Sequence, residues 1–478
     1  CPLDLHYYIG RRSEMYEARQ GNGSRGAVRQ VIGWAVLLGL ATAGCTDKEN
    51  TVRLEVYSWW SQEKERGAFD AVVKIHHDDH PNVEIRNLVN PDSGDSREEL
   101  AQKMLAGAPP ATFQANVGAD VLQWAVVDTV ENARANVDAG PDASKRLISG
   151  LDALYAEELA GNLPPEIEDQ VHVDRGTVPF AVPINIHRLN VLYYNKAKLT
   201  EAGGTPLLTL EKLCPADPTV DPLPVLIAVA PRDRWTLTLF VFEVILVAVA
   251  GPDAYEEVFK GRPSAHAIAK VREALVCARY LSQSFTVAGE GRWADAVSAV
   301  RNGGGATFTV MGDWANGPLK GALENEEVVA MPFPGTKDYF VFTSDSFPLP
   351  LDVEHPQEAL DFLRTIASRD AQIAFSEKKG SIPARMDVPF TSPRGWATHE
   401  EFASKRKVVA TSGLFPPYFP DLGAGLEGMM FEPDTNRLRP QVSTDDALEA
   451  TLREFLDAVP LLERWQRRLA SDTEPPAQ

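Results

Sequence analysis

The sequence has few cysteines and no excess of positive charge. Each of these observations excludes a class of function. Four cysteines stand in 478 residues, at positions 1, 45, 214 and 277, and no two of them have the close CxxC spacing of zinc or redox sites. The formal net charge of −20 argues against a nucleic-acid partner, because phosphates are bound by basic patches. We therefore expect no nucleic-acid partner, no metal site and no cofactor.

The common enzyme motifs are also missing. The sequence contains no GxSxG elbow, P-loop or HExxH pair, and no GxGxxG that opens a helix. The one histidine cluster, His76 to His80 (HHDDH), stands at the predicted end of a helix beside Pro81. Such a run is typical of a solvated surface rather than a metal site. We predict a protein with no catalytic role.

Long apolar runs are limited to two. The first, Val31 to Ala43, follows the basic stretch Arg25 to Arg29 and precedes Gly44-Cys45. It is too short for a membrane span, which takes about 20 apolar residues, and it has the layout of a secretory signal peptide. Residues 1–44 are therefore interpreted as the signal peptide region, with Met15 as the expected start of translation.

The end of this segment predicts how the mature protein begins. Leu40 to Cys45 (LATAGC) resembles a bacterial lipoprotein box, in which the cysteine becomes the acylated first residue. The alternative is ordinary cleavage that leaves Cys45 unmodified. We expect an exported protein, in the periplasm or at the cell surface, that is lipid-anchored at Cys45.

The second apolar run, Leu237 to Ala250, predicts a buried core helix. It is 14 residues long and contains Glu243, so it is both too short and too polar for a membrane span. Gly251-Pro252 follows as a normal helix stop.

The order of elements predicts an α/β fold with two lobes. Early strands at 53–57 and 83–85 alternate with helices at 67–77 and 96–105, as in an open sheet with helices on its faces. The length exceeds one ordinary domain, and no single linker divides the chain. Three extended segments, at about 180–190, 303–313 and 342–350, are the expected crossings between the lobes. Several crossings form a hinge, which allows closure around a ligand.

Aromatic residues and carboxylates recur at the strand end and at the crossings. Trp59-Trp60 follows the first strand, with Glu63 or Glu65 nearby, and Asp313-Trp314 and Ser344-Asp345 stand at the later crossings. A tryptophan face suits the C–H face of a pyranose, and a carboxylate accepts hydrogen bonds from hydroxyls. Each residue alone is equally explained as core, helix cap or surface charge. Together they predict a carbohydrate cleft.

Seven segments in order resemble the extracellular sugar-binding proteins of ABC importers, especially the glucose- and mannose-binding branch of family 1. The similarity covers about 52 to 390, and its carriers are Leu54–Trp60, Pro109–Gln114, Val182–Val191, Trp293–Val297, Phe308–Trp314, Ser344–Phe347 and Lys379–Ile382. The resemblance implies a two-lobed periplasmic-binding-protein fold. Each lobe would be an open mixed sheet flanked by helices, with three crossing segments forming the hinge.

The resemblance also implies site residues. The sugar would be bound by Trp59, Trp60, Glu63 or Glu65, Gln114, Asn116, Trp293, Trp314, Asp345 and Lys379. From the residues alone, Cys214 and Cys277 are either a disulfide or two separate buried thiols, and the family has a disulfide here. Three features depart from the branch: Asn116 replaces a common histidine, a later histidine is missing from 408–418, and the acid after Trp59-Trp60 is shifted by one residue.

We expect lobe 1 to comprise 45–184 with 313–345, lobe 2 to comprise 185–312 with 346–470, and 471–478 to be a loose tail. The predicted function is to bind a monosaccharide or small oligosaccharide between the lobes and deliver it to the membrane subunits of an ABC importer. The alternatives are a secreted glycoside hydrolase, which would also use carboxylates and tryptophans, and a receptor for a non-sugar solute.

Overall fold

The structure is a computed structural model. It describes residues 51–61, 63–89, 99–104, 106–118, 120–121, 124, 147–172, 178–259, 263–302, 305–388 and 399–410, with positions 426, 430, 448, 450–453 and 456. The signal peptide region 1–44, the lipidation residue Cys45 and the tail 471–478 lie outside these residues.

Sixteen strands lie within the described ranges. They are β1 (Val52–Ser58), β2 (Val83–Val89), β3 (Thr112–Phe113), β4 (Ala115–Asn116), β5 (Ile148–Ser149), β6 (Ala181–Pro183), β7 (Asn185–Arg188), β8 (Val191–Asn195), β9 (Ile227–Val229), β10 (Phe285–Val287), β11 (Phe308–Met311), β12 (Val328–Pro332), β13 (Tyr339–Thr343), β14 (Asp345–Pro350), β15 (Ile382–Pro383) and β16 (Arg406–Val409).

The helices in the same ranges surround these strands. They are α1 (Glu63–Asp79), α2 (Asp152–Leu154), α3 (Pro165–Val171), α4 (Lys196–Ala202), α5 (Leu210–Leu213), α6 (Trp235–Thr238), α7 (Leu246–Phe259), α8 (Ala265–Ser282), α9 (Trp293–Arg301), α10 (Lys320–Glu324), α11 (Pro356–Ala367), α12 (Arg369–Lys379) and α13 (His399–Ser404). Two π-helical segments (Tyr155–Leu159 and Leu239–Ile245) and two 3₁₀ segments (Thr205–Leu207 and Asp313–Asn316) complete the set.

The first lobe is built on β1. This strand pairs in parallel with β2 along its whole length and with β3 near its end. Its side chains alternate between exposed and buried up to Val56, after which Tyr57 and Ser58 are both buried. The change marks the point at which the strand passes from a surface of the lobe into its interior, just before Trp59 and Trp60. The sheet thus delivers the tryptophan pair to its carboxyl edge.

The second lobe contains a five-stranded mixed sheet in the order β10-β9-β11-β8-β12. β9 is parallel to β10 and to β11, whereas β8 is antiparallel to β11 and to β12. The apolar side chains of β8 and β11 face helix α9 on one side and α8 with the long helical segment on the other. This is the open mixed sheet, flanked by helices, that the sequence predicted.

Between the lobes, β7 and β13 pair antiparallel, with Thr343 opposite His187. β13 leads through Ser344 into β14, whose partners β4, β5 and β6 belong to the first lobe. These paired segments are the predicted first and third crossings, near 180–190 and 342–350. The chain after β11 supplies the second crossing, at Asp313.

Strand pairing and packing suggest a different division of the lobes at two places. β12 (328–332) pairs with β8 of the second lobe, although it falls within the predicted lobe 1 segment 313–345. Helices α11 and α12 pack on α1 of the first lobe, although they fall within the predicted lobe 2 segment 346–470. The sequence pattern located the crossings but did not say to which side the chain returns. We therefore assign β12 to the second lobe, and β14, α11 and α12 to the first.

The long apolar helix is a core element. Trp235 to Phe259 is the one helix in the described part of the chain that is long and apolar enough to cross a membrane, and 72% of its most apolar window is buried inside the protein. The helical backbone breaks at Gly251, which is the stop that the sequence predicted, and a second helical stretch follows over 252–259. Gly251 has φ 76°, a conformation that glycine adopts without strain. Pro252 then fits the first turn of the next helical stretch.

A disulfide joins Cys214, at the end of α5, to Cys277 in α8, with the two Cα atoms 4.8 Å apart. This bears out the pairing that the resemblance implied. The bond ties α5 to the helix that covers the second sheet.

The histidine cluster differs from its predicted role. His76 is fully buried, where Nδ1 lies 2.8 Å from Thr365 Oγ1 and the ring stacks on His80. Burial and the neighbouring His80 lower the pKa of His76 to about 4. Its neighbours His77 to Asp79 are exposed as predicted. No group of three potential metal ligands occurs in the described ranges.

Candidate functional site

A cavity of about 360 Å³ lies between the two lobes. Its volume falls in the range of small-molecule sites. The lining residues are Trp59, Trp60, Ser61, Glu65, Asn116, His187, Leu189, Asp233, Trp235, Leu239, Glu243, Arg292, Trp293, Ala294, Trp314, Thr343, Asp345, Lys379 and Ala410.

The cavity brings together eight of the ten residues that the sequence predicted. They are Trp59, Trp60, Glu65, Asn116, Trp293, Trp314, Asp345 and Lys379. They come from six separate stretches of the chain, so their meeting depends on the whole fold.

The other two predicted residues do not line the cavity in the described structure. The side chain of Glu63 lies outside the part that is described. Gln114 is buried behind the lining, where its Oε1 accepts from the backbone N–H of Trp59 over 3.2 Å and its Nε2 donates to Asp345 over 2.8 Å. Because both ends of the amide bind protein atoms, Gln114 positions Trp59 and Asp345. The sequence motif identified the position but not which partners the amide would take.

Asp345 is a buried carboxylate of the cavity lining. Gln114 Nε2 and Asn185 Nδ2 each donate to it over 2.8 Å. Burial alone would raise the pKa of Asp345, but the hydrogen bond from His187 and the positive charges of His187 and Lys379 lower it below the usual range. Asp345 is therefore an ionised acceptor that stands ready before any ligand arrives.

Two further polar residues lie beside Asp345. Lys379, the last residue of α12, places its Nζ 2.5 Å from Glu65 Oε1 and 5.9 Å from the centre of the Trp60 ring. Asn116 Oδ1 accepts from Thr343 Oγ1 over 3.0 Å. We call Glu65, Asn116, Asp345 and Lys379 the polar wall.

Three partly exposed tryptophans of the second lobe also line the cavity. Trp314 packs edge-to-face against Trp235, with ring centres 5.7 Å apart. Trp293 begins helix α9, and its backbone N–H donates to Asp233 Oδ2 over 2.7 Å. We call Trp235, Trp293 and Trp314 the indole wall. It offers apolar ring surface in the same cavity as the hydrogen-bonding groups of the polar wall.

Trp60 has another role than the other tryptophans. It is only 1% exposed, and its ring packs against Phe375, Phe347 and Phe69 with centres 4.9 to 5.8 Å apart. Trp60 therefore forms the floor of the cavity on the core of the first lobe. Trp59 is more exposed and also lines the cavity.

Sequence reasoning missed several lining residues. Trp235 and Asp233 follow strand β9, and Arg292 Nη1 binds Asp233 Oδ1 over 3.1 Å. The carboxyl end of a strand is a position where ligands bind. The place of Asp233 shortly after a strand could therefore have identified it from the sequence. Glu243 lies in a π-helical segment, accepts a hydrogen bond from Tyr255 and borders the cavity. Within an apolar run its position could not be read from the sequence.

His187 is the other missed residue. Its Nδ1 is hydrogen-bonded to Asp313, and its Nε2 lies 3.5 Å from Asp345 Oδ2. Burial would lower the pKa of His187, but the charge of Asp313 and the hydrogen bonds to Asp313 and Asp345 outweigh it, although Lys379 opposes them. The pKa is raised to about 9, so the ring is an imidazolium at neutral pH.

The sequence is similar to proteins of one family. Residues 71–404 match the family of bacterial extracellular solute-binding proteins. The chain is 34% identical to an uncharacterized ABC transporter extracellular-binding protein of Pyrococcus horikoshii, over 73% of this chain and 75% of the relative. It is 26% identical to a probable sugar-binding periplasmic protein of Brucella suis, over 87% of this chain and 94% of the relative.

Solved structures share the fold at low sequence identity. A sugar transporter protein of Bacillus licheniformis in complex with stachyose superposes with a TM-score of 0.60 at 13% identity, over 85% of this chain and 100% of the other. At this identity the likeness concerns the fold, which is two-lobed with open mixed sheets.

Proposed function

Because the chain belongs to the family of bacterial extracellular solute-binding proteins, we propose that it captures a sugar between its lobes and delivers it to an ABC importer. The observation that carries this proposal is the pair of walls in one cavity. Aromatic rings match the C–H face of a pyranose or furanose, and ionised or amide groups match the hydroxyls around the edge of its ring.

The polar wall suits a neutral polyol. Asp345 is ionised, and Glu65 and Lys379 form a pair beside it. Two opposite charges next to each other offer both an acceptor and a donor to neighbouring hydroxyls. A ligand with net charge would have to break this balance, whereas a sugar does not. We assign Trp59, Glu65, Asn116, Trp293, Trp314, Asp345 and Lys379 to direct contact with the sugar.

The position of the walls supports ligand-driven closure. The polar wall is formed by the first lobe and the indole wall by the second, and the hinge segments lie between them. A sugar that touches both walls has more contacts in the closed form than in the open one, so its binding shifts the population toward the closed form. An importer would distinguish the loaded receptor by this change.

A role in hydrolysis is less well supported by the site. A glycosidase needs one carboxyl group that is protonated at working pH, with a raised pKa. The surroundings of Asp345 lower its pKa, and Glu65 is paired with Lys379. We propose that the site binds the sugar and leaves it intact.

Export and anchoring complete the proposal. The apolar segment 31–43 before Gly44-Cys45 supports export followed by acylation of Cys45. Cys45→Ser should release the protein from the membrane fraction of the producing cell, and mass spectrometry of the wild-type amino-terminal peptide should find the acyl chains. A wild-type peptide without them would refute the anchor.

Isothermal titration calorimetry against pentoses, hexoses, disaccharides and trisaccharides tests the function. We expect saturable binding of at least one sugar, and recovery of that sugar unchanged after incubation. Binding only of amino acids, peptides or inorganic ions would replace the sugar with another solute. Release of smaller sugars would favour the hydrolase.

A pair of variants links any binding to the cavity. Trp293→Ala removes ring surface from the indole wall, and Leu226→Ala is its control, because Leu226 is 50% exposed and lies outside the cavity in the same lobe. Loss of affinity in both variants, or in neither, would contradict the assignment of the site.

A further inference from the structure

Each of the three crossings contributes one residue to a buried charged cluster. His187 comes from β7, Asp313 from the segment after β11, and Asp345 from the start of β14. All three side chains are at most 7% exposed. The imidazole lies between the two carboxylates and also forms part of the cavity lining.

We propose that His187 is a positioning residue of the sugar site. As an imidazolium, it fixes the position of Asp345 in the polar wall relative to Trp314 in the indole wall. The proposal rests on the function proposed above. Residues on both walls depend on this ring, so it links the hydrogen-bonding side of the cavity to the aromatic side through the hinge.

The contacts on the side of Nδ1 fix the second lobe. Nδ1 bonds Asp313, whose other oxygen accepts from the backbone N–H of Arg188 over 3.0 Å. Trp314 directly follows Asp313, and its ring meets the His187 ring edge-to-face, with centres 5.3 Å apart and planes at 86°. This edge-to-face contact fixes the position of the Trp314 ring against His187.

The contacts on the side of Nε2 explain why the charge matters. Two partners lie near Nε2: Asp345 Oδ2 at 3.5 Å and Asn185 Nδ2 at 3.1 Å. An imidazolium donates from Nε2 and therefore binds Asp345. A neutral ring protonated at Nδ1 has an acceptor at Nε2 and binds the Asn185 amide, whose second N–H still donates to Asp345. Loss of the proton thus removes the charged donor that faces Asp345.

The charged groups around the ring favour the imidazolium. Asp313 and Asp345 face it from the second and third crossings, and Lys379 faces it from the end of α12. The two carboxylates outweigh the lysine and the burial, and the pKa of about 9 means that the proton is lost only in alkaline solution.

The test follows sugar affinity from pH 6 to pH 10 in the wild-type protein and in His187→Asn, with the tightest sugar of the panel. Wild-type affinity should be constant to about pH 8 and then fall about tenfold through pH 9, the value expected for lost charge-assisted hydrogen bonds. His187→Asn should be about tenfold weaker at pH 7 and lack this step. The same step in both proteins would assign the pH dependence to another group and overturn the proposal.

Asp313→Asn gives a second measurement that keeps the histidine. It removes one of the charges that retain the proton, so the alkaline fall in affinity should move to lower pH. An unmoved midpoint would contradict the role of the cluster. Thermal unfolding of each variant at pH 7 identifies any that fails to fold.

Nitrogen NMR of the ligand-free protein separates this inference from the function. At pH 7.5 one imidazole ring should carry protons on both nitrogens, titrate near pH 9 and be absent from His187→Asn. A neutral His187 at pH 7.5 would refute the inference even if sugars bind. A charged His187 in a protein that binds no sugar would instead refute the proposed function.

Discussion

The two walls of the cavity are built on different physical principles. The polar wall is held by hydrogen bonds and charges: Asp345 accepts from Gln114 and Asn185, and Lys379 binds Glu65. The indole wall is held by ring packing and by the start of a helix, at Trp314 and Trp293. The first wall loses an acceptor or a donor when it is altered, whereas the second loses only contact area.

This difference separates specificity from affinity. A hydroxyl in the wrong place leaves a buried polar group unpaired, which discriminates strongly between sugars. An indole face accepts any ring that has a C–H surface, so it stabilises many sugars alike. We therefore expect changes in the polar wall to alter which sugar is preferred, and changes in the indole wall to weaken all of them by similar factors.

Asp345→Asn should have the largest effect. The substitution keeps the shape but removes the charge that the sugar, Gln114 and His187 share, and it should weaken the preferred sugar about 100-fold. Calorimetry against the panel should also show a changed order of preference. Asp361→Asn, on an outer helix where the carboxylate binds Arg364, is the matched control. If Asp345→Asn lowers the affinity for all sugars by the same factor, the proposed difference between the two walls is wrong.

The pH dependence of stability should show the charge of His187 in its cluster with Asp313 and Asp345. The pKa of His187 is raised from 6.5 to about 9. The contribution of its proton to the free energy of unfolding is therefore complete below pH 6.5 and is lost as pH rises through about 9. It amounts to about 3 kcal/mol at most.

Urea unfolding of the wild type and of His187→Asn at pH 6 and pH 9 measures this contribution as a difference. Taking the difference between the two proteins cancels the contributions of other titrating groups, such as His76, to the unfolding free energy. A difference in unfolding free energy that does not shrink toward pH 9 would contradict the charged cluster.

Trp293→Ala should weaken every bound sugar by about tenfold, since it removes one stacking surface without leaving an unpaired polar group. The ratios between sugars should stay as they are in the wild-type protein, which calorimetry on three or more sugars can determine. A change in preference would mean that the indole wall also selects.

Gly312→Ala should have a smaller effect on the same wall. A Cβ at this position would overlap the six-membered ring of Trp314, so the indole must shift. We expect about threefold weaker binding and a change in tryptophan fluorescence of the ligand-free protein. Gly305→Ala, where a Cβ meets only ordinary van der Waals contact, is the control and should change neither.

Much of this arrangement could be predicted from the sequence. The strand alternation before Trp59 and the polar and aromatic residues at the crossings indicated the fold class and five of the lining residues. The family resemblance added Asn116, Trp293 and Lys379, which local patterns do not single out. These residues were predictable because each stands in a short motif at the end of a strand or at the end of a helix.

Other parts depended on long-range packing. The return of α11 and α12 to the first lobe follows from their fit against α1, and no local pattern shows it. The inward position of Glu243 depends on a π-helical segment, which changes the face that a side chain occupies. His187 was missed because a lone histidine in a short strand does not show which residues it will contact. Its two aspartates are 126 and 158 positions away along the chain.

The most direct test is a crystal structure of the protein with its tightest-binding sugar. It should show one sugar ring between the two walls, with a hydroxyl bound to the Asp345 carboxylate and the ring face against Trp293 or Trp314. A sugar bound outside this cavity, or held by one lobe alone, would contradict the account.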